Sequence, residues 1–366
     1  MRESLVNEEE LLAAAQEGDE DAYAALVAAH RPALHAHCYR MLGSVPDAED
    51  ALQEALLRAW RGLSRFEGRS SLKTWLFTIA TNACLKAIQR RPTRVLPVDY
   101  GPAGDPHGEL DEPLVESVWL EPYPDERLVA VDHAPASRYE QRESVEVAFV
   151  AALQHLPARQ RAVLILRDVL GFSGDEVAAA LDMSAAAVYS ALQRAHKTVD
   201  ERLPAQSQQA TLASIGDARL RSLVNRYVDA WERADVDALV ELLTEDAIIA
   251  MPPYRTWYAG RDAVAAFLGK TPLVGRRWRV LPSHANGQLA FAHYLWSDEA
   301  HTYALARHGG HRPPGSTDRG DHRLSSIPRG TPCSDSRRRW PAPGRAELSG
   351  AVGVPLDPAL VVFERT

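Results

Sequence analysis

Trp75 and Phe77 stand near the start of a run, Gly68–Arg91 (GRSSLKTWLFTIATNACLKAIQRR), that also carries Lys73, Lys86, Arg90 and Arg91. Aromatic planes beside cations suit a surface that holds phosphates and offers rings to bases. Asn82 adds an amide that can pair with a base edge. The preceding loop, Arg65–Ser71, adds Arg65 and Arg69 to the same basic stretch. Trp75 is divided between stacking and core, whereas Phe77, Ile79, Leu85 and Ile88 read as core. Upstream, Asp47, Asp50 and Glu54 stand at i, i+3 and i+7, one face of a helix, beside Gln53, Leu57 and Trp60. Such a face suits docking on a basic protein surface, where charge guides association and apolar burial supplies affinity. Far downstream, Ser184, Ala186, Ala187, Ser190, Arg194 and Lys197 face outward from one helix that could enter a major groove.

Other chemistries find little support. His35, His37 and Cys38 at i, i+2 and i+3 do not converge on one ion if helical, so no metal is expected there. Cys38, Cys84 and Cys333 form no CxxC pair and read as free thiols of a reducing cytoplasm. With 366 residues, 46% hydrophobic and 25% charged, the chain should hold two or three soluble domains. It has no apolar run long enough for a membrane span, and its acidic start, MRESLVNEEELL, lacks the order of a signal peptide. A cytoplasmic protein with no membrane partner is therefore expected. The formal net charge of −8 does not exclude nucleic acid, because the charge is unevenly spread. Ala51–Arg91 is strongly basic, and Pro92–Arg142 is strongly acidic.

The elements that must position these residues are helical at first. Glu8–Glu17, Asp21–Leu42, Pro46–Leu63 and Ser70–Arg90 carry apolar residues at three- and four-residue spacing, with Gly18, Gly43 and Gly68 as stops. Residues 93–141, rich in proline and acids, predict an extended linker. Helical periodicity returns over 142–204. Within it, Ser173 with Glu176 is a capping box, LDMS makes a turn, and Ser184 can cap a second helix. Val177, Leu181, Val188 and Leu192 would fill the space between the two helices, giving a helix-turn-helix. After PAQSQQA, an amphipathic helix from about Asp217 precedes strand-like runs such as AIIAM, RWRVL and LAFAHYLW.

Three stretches carry a family resemblance: HCYRMLGSVPDAEDALQEALLRAW, RSSLKTWLFTIATNACLKAIQRR and LQHLPARQRAVLILRDVLGFSGDEVAAALDMSAAAVYSALQRA. Together they resemble bacterial RNA polymerase sigma factors of the extracytoplasmic-function type, in the sigma-70 family. Residues 215–305, on LVNRYVDAWERADVDALVELLTEDAIIAMPPYRTWYAGRDAVAAFL, resemble the SnoaL-like fold, a cone of curved antiparallel sheet and helices. The resemblance implies a multi-domain fold: a region 2 helical bundle (1–92), a region 4 helix-turn-helix (142–204) and an α+β SnoaL-like regulatory domain. It implies core RNA polymerase as partner, bound by Asp47, Asp50, Gln53, Glu54, Leu57 and Trp60. It implies promoter DNA, with the −10 non-template strand held by Arg65, Phe66, Arg69, Ser70, Lys73, Trp75, Asn82, Lys86, Arg90 and Arg91. The −35 duplex falls to Ser184, Ala186, Ala187, Ser190, Arg194 and Lys197. The linker's SVWLEPYPDE resembles the WLPEP-type motif of sigma factors that carry such a domain, with Glu121 in place of proline.

Two alternatives stay open: a helix-turn-helix regulator acting without polymerase, and an enzyme of SnoaL-like fold fused to helices. Asp246, Tyr254, Trp257, His284 and His293 could line a pocket for an unidentified small ligand, but no spacing sets a catalytic base, so no enzyme activity and no cofactor are expected. Residues 306–366 differ from the rest. Arg307–Gly350 is mainly Arg, Gly, Pro, Ser and His, as GC-rich codons give when read out of phase, and predicts a disordered or frameshifted tail that truncates the α+β domain.

Overall fold

A computed structural model of the chain describes residues 2–112, 114, 118–127, 145–203, 208–270, 273, 275–305 and 361–363. The molecule divides into two compact units. The first comprises Met1–Leu96, Val118–Gln209 and Ala285–Gln288; the second comprises Pro97–Ser117, Ala210–His284 and Leu289–Thr366.

The first unit is helical: α1 (Arg2–Gln16), α2 (Glu20–Ala28), α3 (Arg31–Leu42), α4 (Val45–Leu63), α5 (Leu72–Ile88), α6 (Val147–Gln154), α7 (Ala158–Leu164, continued by a π-turn to Val169), α8 (Gly174–Leu181) and α9 (Ala185–Asp200). Side-chain caps set the starts. Asp19 accepts from the Asp21 and Ala22 amides, Ser44 from Asp47 and Ser71 from Thr74, each satisfying donors that a first turn leaves orphaned. Gly43 ends α3 in the left-handed region (φ 69°), and any Cβ there would stand 2.8 Å from Leu120 Cδ1. Only glycine fits both demands.

The two helical blocks, far apart in sequence, share one core. Met41, Leu52, Phe77, Leu153, Ile165 and Leu166 are all buried in a single cluster, and the Phe77 and Phe172 rings meet edge-on at 5.7 Å. Arg161 donates to Gln154 Oε1 (2.7 Å), to the Gln154 carbonyl (3.0 Å) and to the Met41 carbonyl near the end of α3. Those carbonyls carry the negative end of a helix, which suits a buried cation; burial nonetheless lowers the Arg161 pKa to about 10. Helical periodicity shows that a face is apolar but not which partner covers it, so the joint core was not visible in the sequence.

The described part of the linker is not a free spacer either. Trp119, Leu120 and Tyr123 are buried in the first unit, and Tyr39 Oη donates to the Glu121 carbonyl at 2.6 Å. Glu121, which departs from the family motif, accepts from Ser44 Oγ (3.0 Å) and from the Val45 amide (2.9 Å), placing a carboxylate at the positive end of α4. His35 holds the next stretch, with Nδ1 2.8 Å from Tyr123 Oη and Nε2 accepting from Arg127 at 2.9 Å. Burial pushes its pKa down to about 4, so the ring is neutral near pH 7. Asn286, 1% exposed and at φ 57°, completes this cluster: its side chain donates to Tyr39 Oη (2.8 Å) and the Val145 carbonyl (2.6 Å) and accepts from the Tyr123 amide (2.8 Å).

The second unit holds α11 (Asp217–Glu232), preceded by α10 (Gln208–Ile215), then α12 (Val236–Val240), β1 (Ile248–Ala250), β2 (Trp257–Ala259), α13 (Arg261–Lys270), β3 (Trp278–Ala285), β4 (Gln288–Ser297), β5 (Thr302–Leu305) and β6 (Val361–Phe363). Its strands form two sheets, in the orders β2-β1-β6 and β3-β4-β5. Trp231, Ile249, Tyr258, Phe267, Trp278 and Val280 make the core. Residues 97–112 lie along this unit, where Trp257 Nε1 donates to the Gly101 carbonyl (2.8 Å) and Lys270 Nζ to that of His107 (2.7 Å). Most of the tail, 306–360, and Cys333 with it, lies outside the described residues. Val361–Phe363, expected in that tail, pairs antiparallel with β1, Ile248 opposite Phe363. No helix of the described residues is long and apolar enough to cross a membrane.

Candidate polymerase- and promoter-binding surfaces

Helix α4 presents one polar, partly apolar stripe. Asp50, Gln53, Glu54 and Leu57 are exposed at i, i+3, i+4 and i+7, while Ala48, Leu52, Ala55 and Ala59 are buried on the opposite side. Leu57 is 53% exposed, an apolar side chain left to water amid carboxylates. Glu54 is held by Arg58 at i+4 (2.7 Å). Asp47, expected on this face, is buried instead. Arg94 Nη2 donates to its Oδ2 at 2.7 Å, and Arg91 pairs with its other oxygen. A carboxylate in the first turn that meets two guanidinium groups folds inward, because pairing offsets the cost of desolvating it. Trp60 is half-buried and packs on the Tyr23 ring at 4.9 Å, so it supports the helix more than it faces outward.

Between the end of α4 and the side of α5 lies an open cleft of about 460 Å³ lined by Arg58, Gly62, Arg65, Trp75, Ile79 and Asn82. It brings together three residues expected at the −10 strand: Arg65, Trp75 and Asn82. Trp75 is half-buried, backed by Phe66 at 4.9 Å between centroids, and its edge lines the cleft. One side of the ring therefore packs while another borders open space. At Gly62 an added Cβ would already meet Trp75 at 3.4 Å, so a larger side chain there would press on the ring. Arg58 was missed, although Arg58 and Gly62 stand at i and i+4 on one face of α4, with Arg65 just past its end. That spacing was the available signal.

The remaining −10 candidates scatter. Ser70, Lys86 and Arg90 are exposed, and Arg69 pairs with Glu67 at 2.8 Å in solvent. Arg91, expected on DNA, is turned onto Asp47 and Asp50, the latter at 3.1 Å. Lys73 is half-buried with Nζ 5.9 Å from the centre of the Phe172 ring, and its neighbour Thr74 donates to Glu176 at 3.0 Å. This part of α5 is therefore packed against α8. Phe77, 1% exposed, is core.

Helices α8 and α9 form the helix-turn-helix. Ser173 and Glu176 cap each other, Asp182 makes the turn in the left-handed region (φ 51°), and Ser184 accepts from the Ala187 amide at 3.2 Å. The Ser173 amide bonds hold the Glu176 carboxyl below its usual pKa. Val177, Leu181 and Val188 are buried between the helices, with Leu192 half-buried. Ser184, Ala186, Ser190, Arg194 and Lys197 are exposed, and Ala187 is half-buried. Tyr189 and Gln193 share this exposed face and were not singled out in the sequence.

In the second unit, the five pocket candidates do not converge. His293 is buried on β4 among Trp231 (4.8 Å), Tyr227 (6.1 Å) and Trp278 (6.3 Å), with Tyr227 Oη 3.3 Å from its Nε2. Tyr254 packs on the same core. Asp246 and His284 are exposed, and the Trp257 indole is bonded to Gly101. Tyr227, Trp231 and Trp278 were missed because strand and helix partners cannot be paired from periodicity.

A helical unit with an exposed acidic stripe, a cationic and aromatic cleft and a helix-turn-helix fits a promoter-recognition factor of transcription. Family models agree: Sigma-70 region 2 matches residues 26–93, Sigma-70 region 4 matches 146–199, and a SnoaL-like domain matches 224–319. The ECF RNA polymerase sigma factor SigG of Mycobacterium tuberculosis is 47% identical over 276 residues, covering 74% of this chain and 73% of that protein. SigW of Bacillus subtilis is 40% identical over 76 residues, 21% of this chain and 41% of that one. The crystal structure of SigJ from Mycobacterium tuberculosis matches at 21% identity over 76% of this chain and 90% of that chain, with a TM-score of 0.41. The chain belongs to the extracytoplasmic-function sigma factors of RNA polymerase, and carries a SnoaL-like domain after its two sigma regions. As a sigma factor it binds core polymerase and promoter DNA and directs transcription initiation.

Proposed function

We propose that the exposed stripe Asp50, Gln53, Glu54 and Leu57 docks on core polymerase and that the Trp75 cleft holds the −10 non-template strand. Charge on the stripe guides encounter, and burial of Leu57 supplies affinity. In the cleft an extruded base stacks on Trp75 and pairs with Asn82, while Arg58 and Arg65 neutralise the flanking phosphates. Lys86 and Arg90 extend the positive track along α5. Helix α9 enters the −35 duplex, and the SnoaL-like domain regulates the sigma unit and is not a catalyst. A small ligand near His293 would act through that control.

The observation that carries this reading is the convergence of Arg65, Trp75 and Asn82 on one open cleft that Arg58 and Gly62 of α4 complete. In vitro transcription with core polymerase tests it. Trp75→Ala should lower promoter opening by about tenfold, since one stacked base contributes roughly 1–3 kcal/mol. Polymerase binding should stay at the wild-type level. Full opening by the variant would exclude the cleft.

The reader helix gives a second expectation. Arg194→Ala together with Lys197→Ala should weaken duplex binding and flatten its salt dependence by about two units of slope, one for each cation withdrawn from a phosphate. A salt titration with an unaltered slope would mean that other cations neutralise the phosphates.

A further inference from the structure

Tyr189 and Gln193 lie one turn apart on α9, and Gln193 Nε2 donates to Tyr189 Oη at 3.3 Å. Tyr189 is 64% exposed, and among the described residues only Leu57 and Tyr100 are large hydrophobics left comparably open. Val188, Ala191, Ala195 and Val199 bury the opposite side of the helix, which fixes Ala186, Tyr189, Ser190 and Gln193 on the outward face. A ring held in water by that geometry adds nothing to the core of this unit. It is the kind of side chain that a partner buries, an apolar body with a polar tip.

We propose that Gln193, oriented by Tyr189, reads an adenine of the −35 duplex, while the Tyr189 ring packs on the methyl of a neighbouring thymine. The bond to Tyr189 uses one Gln193 N–H. It leaves the other N–H and Oε1, the donor and acceptor that match adenine N7 and N6 in the major groove. The same bond removes rotamer freedom before binding, which lowers the ordering cost of the contact. Ala186, one turn earlier, offers only a methyl, which suits a second thymine and not guanine. The alanine-rich face thus has a base preference of its own, A·T over G·C, set by the residues between the alanines. This assignment rests on the reading that α9 enters the −35 duplex.

The test is transcription from a promoter library randomised across the −35 element, using core polymerase with the full chain, its Gln193→Ala and Tyr189→Phe variants. Wild type should prefer adenine at one position by about tenfold, the discrimination of a good bidentate pair. Gln193→Ala should reduce that preference to under about twofold, with preferences at distant positions intact. Tyr189→Phe keeps the ring and loses the orienting hydroxyl, so the adenine preference should fall while the thymine preference stays. Both residues are exposed, so folding is not at issue. An adenine preference unmoved by Gln193→Ala, or a guanine preference abolished by Arg194→Ala, overturns the assignment alone. A wild-type library without any −35 preference overturns it together with the reading on which it rests.

Discussion

A chain carrying Asp50→Arg and Glu54→Arg should lose on the order of a hundredfold in affinity for core RNA polymerase while keeping its helical content. Both carboxylates are exposed, at 69% and 50% of their side chains, so neither supports the core. Surface substitutions of this kind change stability by about 0.5 kcal/mol or less. Reversing both signs on one stripe replaces attraction with repulsion and also removes Glu54 from Arg58 and one of the two carboxylates paired with Arg91, adding to the positive field. The effect should shrink as salt rises, because exposed charges are screened within about 10 Å at 0.1 M. A binding titration at two salt concentrations reads both features. Wild-type affinity in the double variant would rule out this docking surface.

Asp47→Ala should behave in the opposite way. Its carboxylate is 7% exposed and faces Arg94, whose side chain is equally buried, with Arg91 on the other oxygen. Removing it withdraws the paired carboxylate from a buried guanidinium that keeps the field of Glu121, a change that costs up to about 3–5 kcal/mol. Denaturant unfolding should show that loss. Polymerase affinity, measured below the unfolding transition, should stay near wild type. A stability change under about 1 kcal/mol would mean that Arg94 finds another acceptor. Two aspartates three residues apart thus separate folding from docking.

That contrast also shows how far the sequence could be read. The i, i+3, i+7 spacing put Asp50 and Glu54 on an exposed face, but Arg91 and Arg94, more than forty positions away, drew Asp47 inward from it. The helix-turn-helix was legible throughout, since its cap, turn and core pattern are local. The Trp75 cleft was half legible. Its aromatic and amide residues lie on one helix, whereas Arg58 and Gly62 arrive from another. The linker misled most: its prolines and acids describe a spacer, yet Trp119, Leu120 and Tyr123 are buried and Glu121 caps α4. Composition reports average solvation, and three apolar anchors are enough to override it. The joint core of the two helical blocks, and the ring of aromatics around His293, depend on pairings between distant elements that no local period encodes.

The promoter-binding account is tested most directly by fluorescence of 2-aminopurine placed, one position at a time, along a single-stranded −10 non-template oligonucleotide bound to holoenzyme. Stacking on Trp75 should quench one position strongly and leave its neighbours bright, and Trp75→Ala should restore that signal without releasing the strand. Equal fluorescence at every position, or quenching that survives Trp75→Ala, would contradict it.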